Sequence, residues 1–199
     1  GDVRYVDQNG DNIIDEADRV ILGNPFPRYT FGATYTASWK GFDLNLFVQG
    51  VGKRALFLRG EAVEPFHGPF QDAIFKHQSD YWTPTNPNAA YPRLTLGGAS
   101  RNNWGVGSDR FLQDASYVRL KNLQVGYTLP GRLTNKLGIS KLRVYYTGQN
   151  MLTLTPMQVG IDPEATEFNN SLVSTRGNVN SGRVYPNPQF NGIGLDVTF

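Results

Sequence analysis

The chain has no cysteine, which excludes a disulfide framework, thiol catalysis and Cys-ligated zinc. Its two histidines leave little room for general-base chemistry, and no serine, histidine and acid stand in a catalytic arrangement. No catalytic residue is assigned, and a non-enzyme is expected. Long hydrophobic runs are missing as well. Mean hydropathy is −0.40, and no stretch approaches the ~18 apolar residues of a membrane-spanning helix. Helical insertion is thereby excluded. A membrane β-barrel would escape that test, because half of each strand faces a polar lumen. The formal charge of +2 is too small and too scattered to point to nucleic acid. No signal peptide precedes Gly1, and the chain opens as if cut from something longer, so a fragment is expected.

Aromatic residues are plentiful: 10 Tyr, 12 Phe and 3 Trp make up 13% of the chain. They fall largely on stretches that alternate apolar and polar residues with a period of two, the pattern of a strand with one greasy and one wet face. From Tyr29 to Trp39 every odd position is apolar or aromatic and every even one small or polar. Phe42, Leu44, Leu46 and Val48 oppose Asp43, Asn45 and Gln49, with Phe47 intruding on the polar side. Leu142, Val144 and Tyr146 oppose Lys141, Arg143, Thr147 and Gln149; Ile193, Leu195, Val197 and Phe199 oppose Gly192, Gly194, Asp196 and Thr198. The stretch Tyr117 to Leu129 breaks the rule, since Val118 and Leu120 have the opposite parity to Leu123, Val125, Tyr127 and Leu129. A β-bulge near Lys121 and Asn122 would restore one apolar face. Equally, Val118 and Leu120 could face inward against a plug.

The connections divide into short and long. Lys40 and Gly41 join one pair of strands, and a Pro- and Gly-punctuated turn from Pro130 to Ser140 joins another. The connections of roughly 52–114 and 151–189 are long. Strict alternation of this kind matches bacterial outer-membrane barrels, with short periplasmic turns and long extracellular loops. The expected fold is all-β: antiparallel strands of a transmembrane β-barrel. An extracellular loop (1–27) is followed by a hairpin (28–51), a long extracellular loop (52–114), a second hairpin (115–150), another loop (151–189) and a terminal strand (190–199). Phe31, Ala33, Tyr35, Leu44, Leu46, Leu142, Val144, Leu195 and Val197 are expected to face lipid, and Thr34, Asn45, Arg143 and Asp196 the lumen or plug. Five strands cannot close such a barrel, so other polypeptide must complete the wall. The competing reading is a soluble β-rich carbohydrate-binding module stabilised by calcium.

Three motifs carry a family resemblance. Asp80-Tyr81-Trp82-Thr83-Pro84-Thr85-Asn86-Pro87-Asn88-Ala89-Ala90-Tyr91-Pro92-Arg93 resembles a loop signature of the SusC/RagA family, the TonB-dependent outer-membrane transporters of Bacteroidota. Asp114 to Leu123 with Gly126-Tyr127-Thr128-Leu129-Pro130 looks like that family's most recognisable strand, and Leu142-Arg143-Val144-Tyr145 with Gly148-Gln149-Asn150 resembles the next. The order matches the family's C-terminal end. The resemblance implies a roughly 22-stranded barrel with an internal plug, located in the bacterial outer membrane. It also implies a TonB-contacting segment near the N-terminus, a SusD-like surface lipoprotein over the mouth, and glycan or peptide substrates. Phe199, aromatic and terminal on an alternating strand, resembles the signal by which outer-membrane assembly machinery recognises its clients.

The sharpest local motif runs from Asp7 to Asp18. An EF-hand-type loop needs oxygen ligands at its positions 1, 3, 5, 9 and 12 and a backbone carbonyl at 7. Counting from Asp7 gives Asp7, Asn9, Asp11, Ile13 by its carbonyl, Asp15 and Asp18, hard oxygens suited to Ca²⁺. Asn12 stands where Gly is usual and tolerates the left-handed conformation better than most residues. The alternative is an Asp/Asn-rich turn whose side chains cap its own backbone. Weaker candidates are His67 and His77 with Glu61 and Glu64, whose spacing fits no compact zinc motif. Gly50-Val51-Gly52-Lys53-Arg54 lacks the frame of a phosphate loop. Asn169-Asn170-Ser171 is a formal glycosylation sequon, meaningful only on a eukaryotic secretory route. Phe66, Phe70, Tyr81, Trp82, Tyr91 and Trp104 could stack on sugars, or pack their long loop on itself. No substrate-binding residue is assigned.

Overall fold

The structure, a computed structural model, describes residues 1–58, 64–66, 74–95, 103, 107–157, 160–164 and 185–199. The chain forms two compact units: one of residues 1–25, 55–113 and 165–185, the other of residues 26–54, 114–164 and 186–199. No helix among the described residues is long and apolar enough to cross a membrane.

The second unit is an antiparallel sheet of five strands: β1 (Tyr29–Trp39), β2 (Phe42–Gly52), β5 (Tyr117–Thr128), β6 (Lys141–Leu154) and β7 (Phe190–Thr198), in the order β1-β2-β5-β6-β7. Each strand therefore pairs with its predecessor in the sheet, as in an up-and-down wall. The strands of β1 and β2 pair without a slip from Trp39↔Phe42 to Tyr29↔Gly52. Their turn holds Lys40 at φ 47° and Gly41 at φ 89°. Two central residues with positive φ define the type I′ turn, whose twist matches that of the flanking strands. The link from β5 to β6 is more structured than a plain turn: a four-residue helix (Gly131–Thr134) runs into a 3₁₀ turn (Asn135–Leu137). Gly138 then ends it at φ 70°, a conformation that costs glycine nothing.

The parity break in β5 has a definite cause. Phe47 pairs with Asn122, but the next residue, Val48, pairs with Leu120, so Lys121 is an extra residue opposite β2. On the other side Asn122 pairs with Gln149 and Leu120 with Leu152, and there β6 absorbs its own extra residue. Asn150 lies in that irregularity at φ 51°. The bulge carries Val118 and Leu120 onto the same face as Leu123, Val125 and Tyr127. No plug is needed to explain their parity.

The first unit carries a two-stranded ladder of β3 (Ala55–Phe57) and β4 (Leu112–Asp114). Leu56, Leu58 and Phe111 are buried around it, and the Leu58 amide donates to the Phe111 carbonyl at 3.1 Å.

Candidate functional site

The registers sort the sheet into two faces. On one face Trp39, Phe42, Tyr127, Val144 and Leu195 form a row across all five strands. Ala37, Leu44, Val125, Tyr146 and Ile193 form the next, and Ala33, Val48, Leu120 and Leu152 continue further along. Leu142 and Val197 pair on the same face. This surface is uncovered: Phe31, Tyr35, Trp39, Phe42, Leu152, Leu154, Ile193 and Leu195 are each more than half exposed. An apolar face five strands wide is far larger than the isolated exposed side chains normal for a soluble surface. Aromatics gather at the end bearing the short connections, where the Phe42 and Tyr127 ring centroids lie 4.5 Å apart.

The opposite face is polar and cross-linked by charge. Arg143 donates from Nε and Nη2 to the two carboxylate oxygens of Asp43, at 2.9 and 2.5 Å, and from Nη1 to Asp196 at 2.8 Å. Its guanidinium lies 4.7 Å from the centre of the Tyr145 ring. The clamp thus joins β2, β6 and β7 over β5, and it passes above Gly126. A Cβ built on Gly126 would lie 2.6 Å from Arg143 Nε and 2.6 Å from Asp43 Oδ1. Only glycine leaves that space. Phe47, the apolar intruder, lies over Gly32 in the same way, 3.1 Å from where a Cβ would stand.

A second charged cluster lies on this face toward the long connections. Arg119 pairs in register with Thr153 and donates to its hydroxyl at 2.8 Å. It also donates to Glu164 at 2.6 Å and to Asp162. Lys121, the bulged residue, reaches the same Glu164 at 2.7 Å. Asn187 donates its amide to Asp162 at 2.9 Å and its side chain to Glu164 at 3.1 Å. Arg54 donates to the Pro163 carbonyl at 2.8 Å. Burial alone would raise the pKa of Asp162. The Arg119 hydrogen bond and the amides of Glu164 and Asn187 outweigh it and hold the carboxyl below its ordinary range. Periodicity gives no hint of this cluster. Its partners lie 43 and 45 residues apart, and the segment bearing Asp162 and Glu164 does not alternate.

In the acidic loop Asn12 takes φ 64°, the left-handed conformation its place in the spacing requires. The carboxylates accept from the loop's own amides: Asp7 from Gly10 and Asn12, Asp11 from Ile13, Asp15 from Ala17, and Asp18 from Gln8 and Asp15. Asp15 and Asp18 form a capping box on the 3₁₀ turn Glu16–Asp18. Hydrogen bonds from the Asp15 and Gln8 amides hold the Asp18 carboxyl below its ordinary pKa. As placed, no three acidic or histidine side chains among the described residues converge to hold a metal. A carboxylate oxygen bonded to one amide keeps a second lone pair, so the donor set retains the chemistry for a hard cation.

Of the weaker candidates, Glu61, His67, Phe70, Trp104 and the 169–171 sequon lie outside the described residues. His77 is stacked on Phe75 with ring centroids 5.7 Å apart, and Glu64 is buried. The signature stretch 80–93 is an internally bonded turn. Asp80 accepts from the Asn86 side chain at 2.9 Å and the Ala90 amide at 3.1 Å, and Tyr81 bridges Tyr91. Arg93 holds Asp2 with two bonds of 2.6 and 2.9 Å, and the Trp82 ring packs against Gly1. Tyr91 lies near His77 of its own loop, with ring centroids 6.1 Å apart, whereas Trp82 packs against the N-terminal segment. Gly50, Val51 and Gly52 belong to β2, not to a phosphate-binding loop.

No family model matches the chain. It is 35% identical over its whole length to TonB-dependent receptor P26 of Formosa agariphila and 36% identical over 98% of its length to receptor P3 of the same organism. TonB-dependent receptor SusC of Bacteroides thetaiotaomicron is 26% identical over 80% of the chain. The chain spans 20%, 19% and 15% of these relatives, respectively. Among solved structures, the RagAB peptide importer in its open-open state matches with a TM-score of 0.68 at 28% identity, over 98% of this chain and 20% of that one. With this agreement in sequence and in the arrangement of the strands, the chain belongs to the SusC/RagA family of TonB-dependent receptors, whose C-terminal part it resembles.

Proposed function

We propose that the chain is part of the wall of a TonB-dependent outer-membrane transporter, its apolar face against lipid and its polar face toward the lumen or plug. The observation that carries this reading is the uncovered apolar face running across all five strands opposite a hydrogen-bonded polar one. In hydrocarbon the outer edges of β1 and β7 would each leave backbone groups unpaired at several kcal/mol per group. The rest of the barrel, with its plug, closes them. The short connections lie on the periplasmic side and the long ones outside. The cargo is oligosaccharide or peptide, taken up with a SusD-like lipoprotein over the mouth and with energy from the TonB complex. RagAB, which the chain resembles, is a peptide importer. The acidic loop from Asp7 to Asp18 binds Ca²⁺ on the extracellular side and stiffens the rim, at ~10⁻⁴–10⁻³ M affinity as in other extracellular modules.

Expressing residues 1–199 in buffer tests the choice of reading. Aggregation unless detergent is supplied is the expected result. A monodisperse, cooperatively melting protein without detergent would support the soluble calcium-stabilised module instead.

A further inference from the structure

We propose that residues 160–164 form a charge-latched strap, laid on the polar face by Arg119 and Lys121, that narrows the passage along this part of the wall. The inference rests on the reading of the polar face as the lumen side. Arg119 and Thr153 are cross-strand partners on that face, so whatever Arg119 grips lies over the sheet itself. All three arms of its guanidinium are used: one on Thr153 and the other two on the strap's Asp162 and Glu164. The side chains of Arg119 and Asp162 are only 4% and 7% exposed, whereas Glu164 and Lys121 keep 25% and 20%. Arg54 and Asn187 add bonds to the strap's backbone and carboxylates.

The strap is held mainly by charge. Gly160 is exposed with nothing near its missing side chain and Ile161 is only half-buried, so Pro163 is the strap's one buried apolar residue. A buried ion pair adds little net stability over an apolar contact, but losing one partner leaves an uncompensated charge. Removing the strap's carboxylate charges should therefore release it. Arg119 acts here as a positioning residue. Its part is to set the width available to a solute, and no chemical step is assigned to it.

The test uses the complete transporter in outer membranes, with a thiol introduced by T153C beneath the strap; this gives up the Arg119–Thr153 bond but keeps both carboxylate contacts. A bulky, membrane-impermeant maleimide should react slowly there. It should react about tenfold faster or more when D162N and E164Q remove both carboxylate charges. A second thiol, from T36C on the polar face of β1, should react at an unchanged rate, which separates release of the strap from general loosening. If the double variant fails to assemble, K121M loosens one contact only and should give a smaller increase in the same direction. Unchanged T153C labelling in an inserted, heat-modifiable barrel would overturn the strap alone. Recovery of the unsubstituted transporter outside the membrane fraction would overturn the lumen reading and the strap with it.

Discussion

Substituting Gly126 by alanine probes the polar face at its tightest point. The new Cβ would lie 2.6 Å from Arg143 Nε, 2.6 Å from Asp43 Oδ1 and 2.7 Å from Arg143 Nη2. These are the ends of flexible side chains, so the backbone need not move. The clamp must. Charge-assisted hydrogen bonds contribute about 1.5–3 kcal/mol each when well shielded. Here the Arg143 side chain is 14% exposed but Asp43 and Asp196 are 34% and 52% exposed, and screening cuts the lower-quality contacts most. Replacing glycine in a strand recovers roughly 0.5–1 kcal/mol. The net expectation is a loss of about 1–3 kcal/mol, read as a lower urea midpoint of the complete barrel in detergent. In an R143M background the clamp is already gone, and G126A should then cost nothing or stabilise slightly. An equal loss in both backgrounds would refute the proposed cause and point to the backbone of β5 itself.

On the apolar face, L46R should cost ~2–4 kcal/mol and V144R less, because Val144 stands in the aromatic row at the strand ends and Leu46 nearer the middle; folding titrations into vesicles would show the order. The depressed pKa of Asp162 means its contribution is fully present above the unfolded value of about 3.9 and is lost as pH falls through the lower folded value. Hydrogen-exchange protection of the Glu164 and Asn187 amides, both donors to Asp162, should therefore fade only below about pH 4, and D162N should abolish that dependence. Combining D7A with D11A should leave barrel assembly intact but abolish calcium-dependent ordering of the acidic loop, measured by calorimetry and limited proteolysis; retained calcium binding would place the ion elsewhere. Deleting Phe199, or F199D, should lower the amount of assembled transporter more than the activity per assembled molecule, and normal surface levels would count against an assembly role.

Strand positions were legible in the sequence because the pleat has a period of two and one face must be apolar. The hairpin at Lys40 and Gly41 followed from two-residue turn chemistry, whereas the break at Val118 and Leu120 fitted a bulge near Lys121 and Asn122 or a plug-facing pair equally well, and the register decides for the bulge. The ends were less legible. β2 continues through Val51 and Gly52, where the alternation has lapsed, and β6 through Leu152 to Leu154, where it resumes after the break at Asn150 and Met151. Of the charged contacts, Asp43–Arg143–Asp196 could be read once the register was known, since all three lie at polar positions near the same strand ends. Arg119–Asp162 and Arg93–Asp2 could not, because they join segments with no shared period across 43 and 91 residues. In the acidic loop, spacing specifies which oxygens can converge, but not whether they turn to an ion or to their own amides.

The most direct measurement is a spin-label scan along β1, with single cysteines introduced from Tyr29 to Trp39 in the complete transporter reconstituted in vesicles. If the apolar face meets lipid, labels at odd positions will be accessible to oxygen and shielded from a water-soluble nickel reagent, with the reverse at even positions. The period should be two along the whole strand. Labels at odd positions shielded from both reagents, as between two protein layers, would contradict the assignment of this face to the membrane.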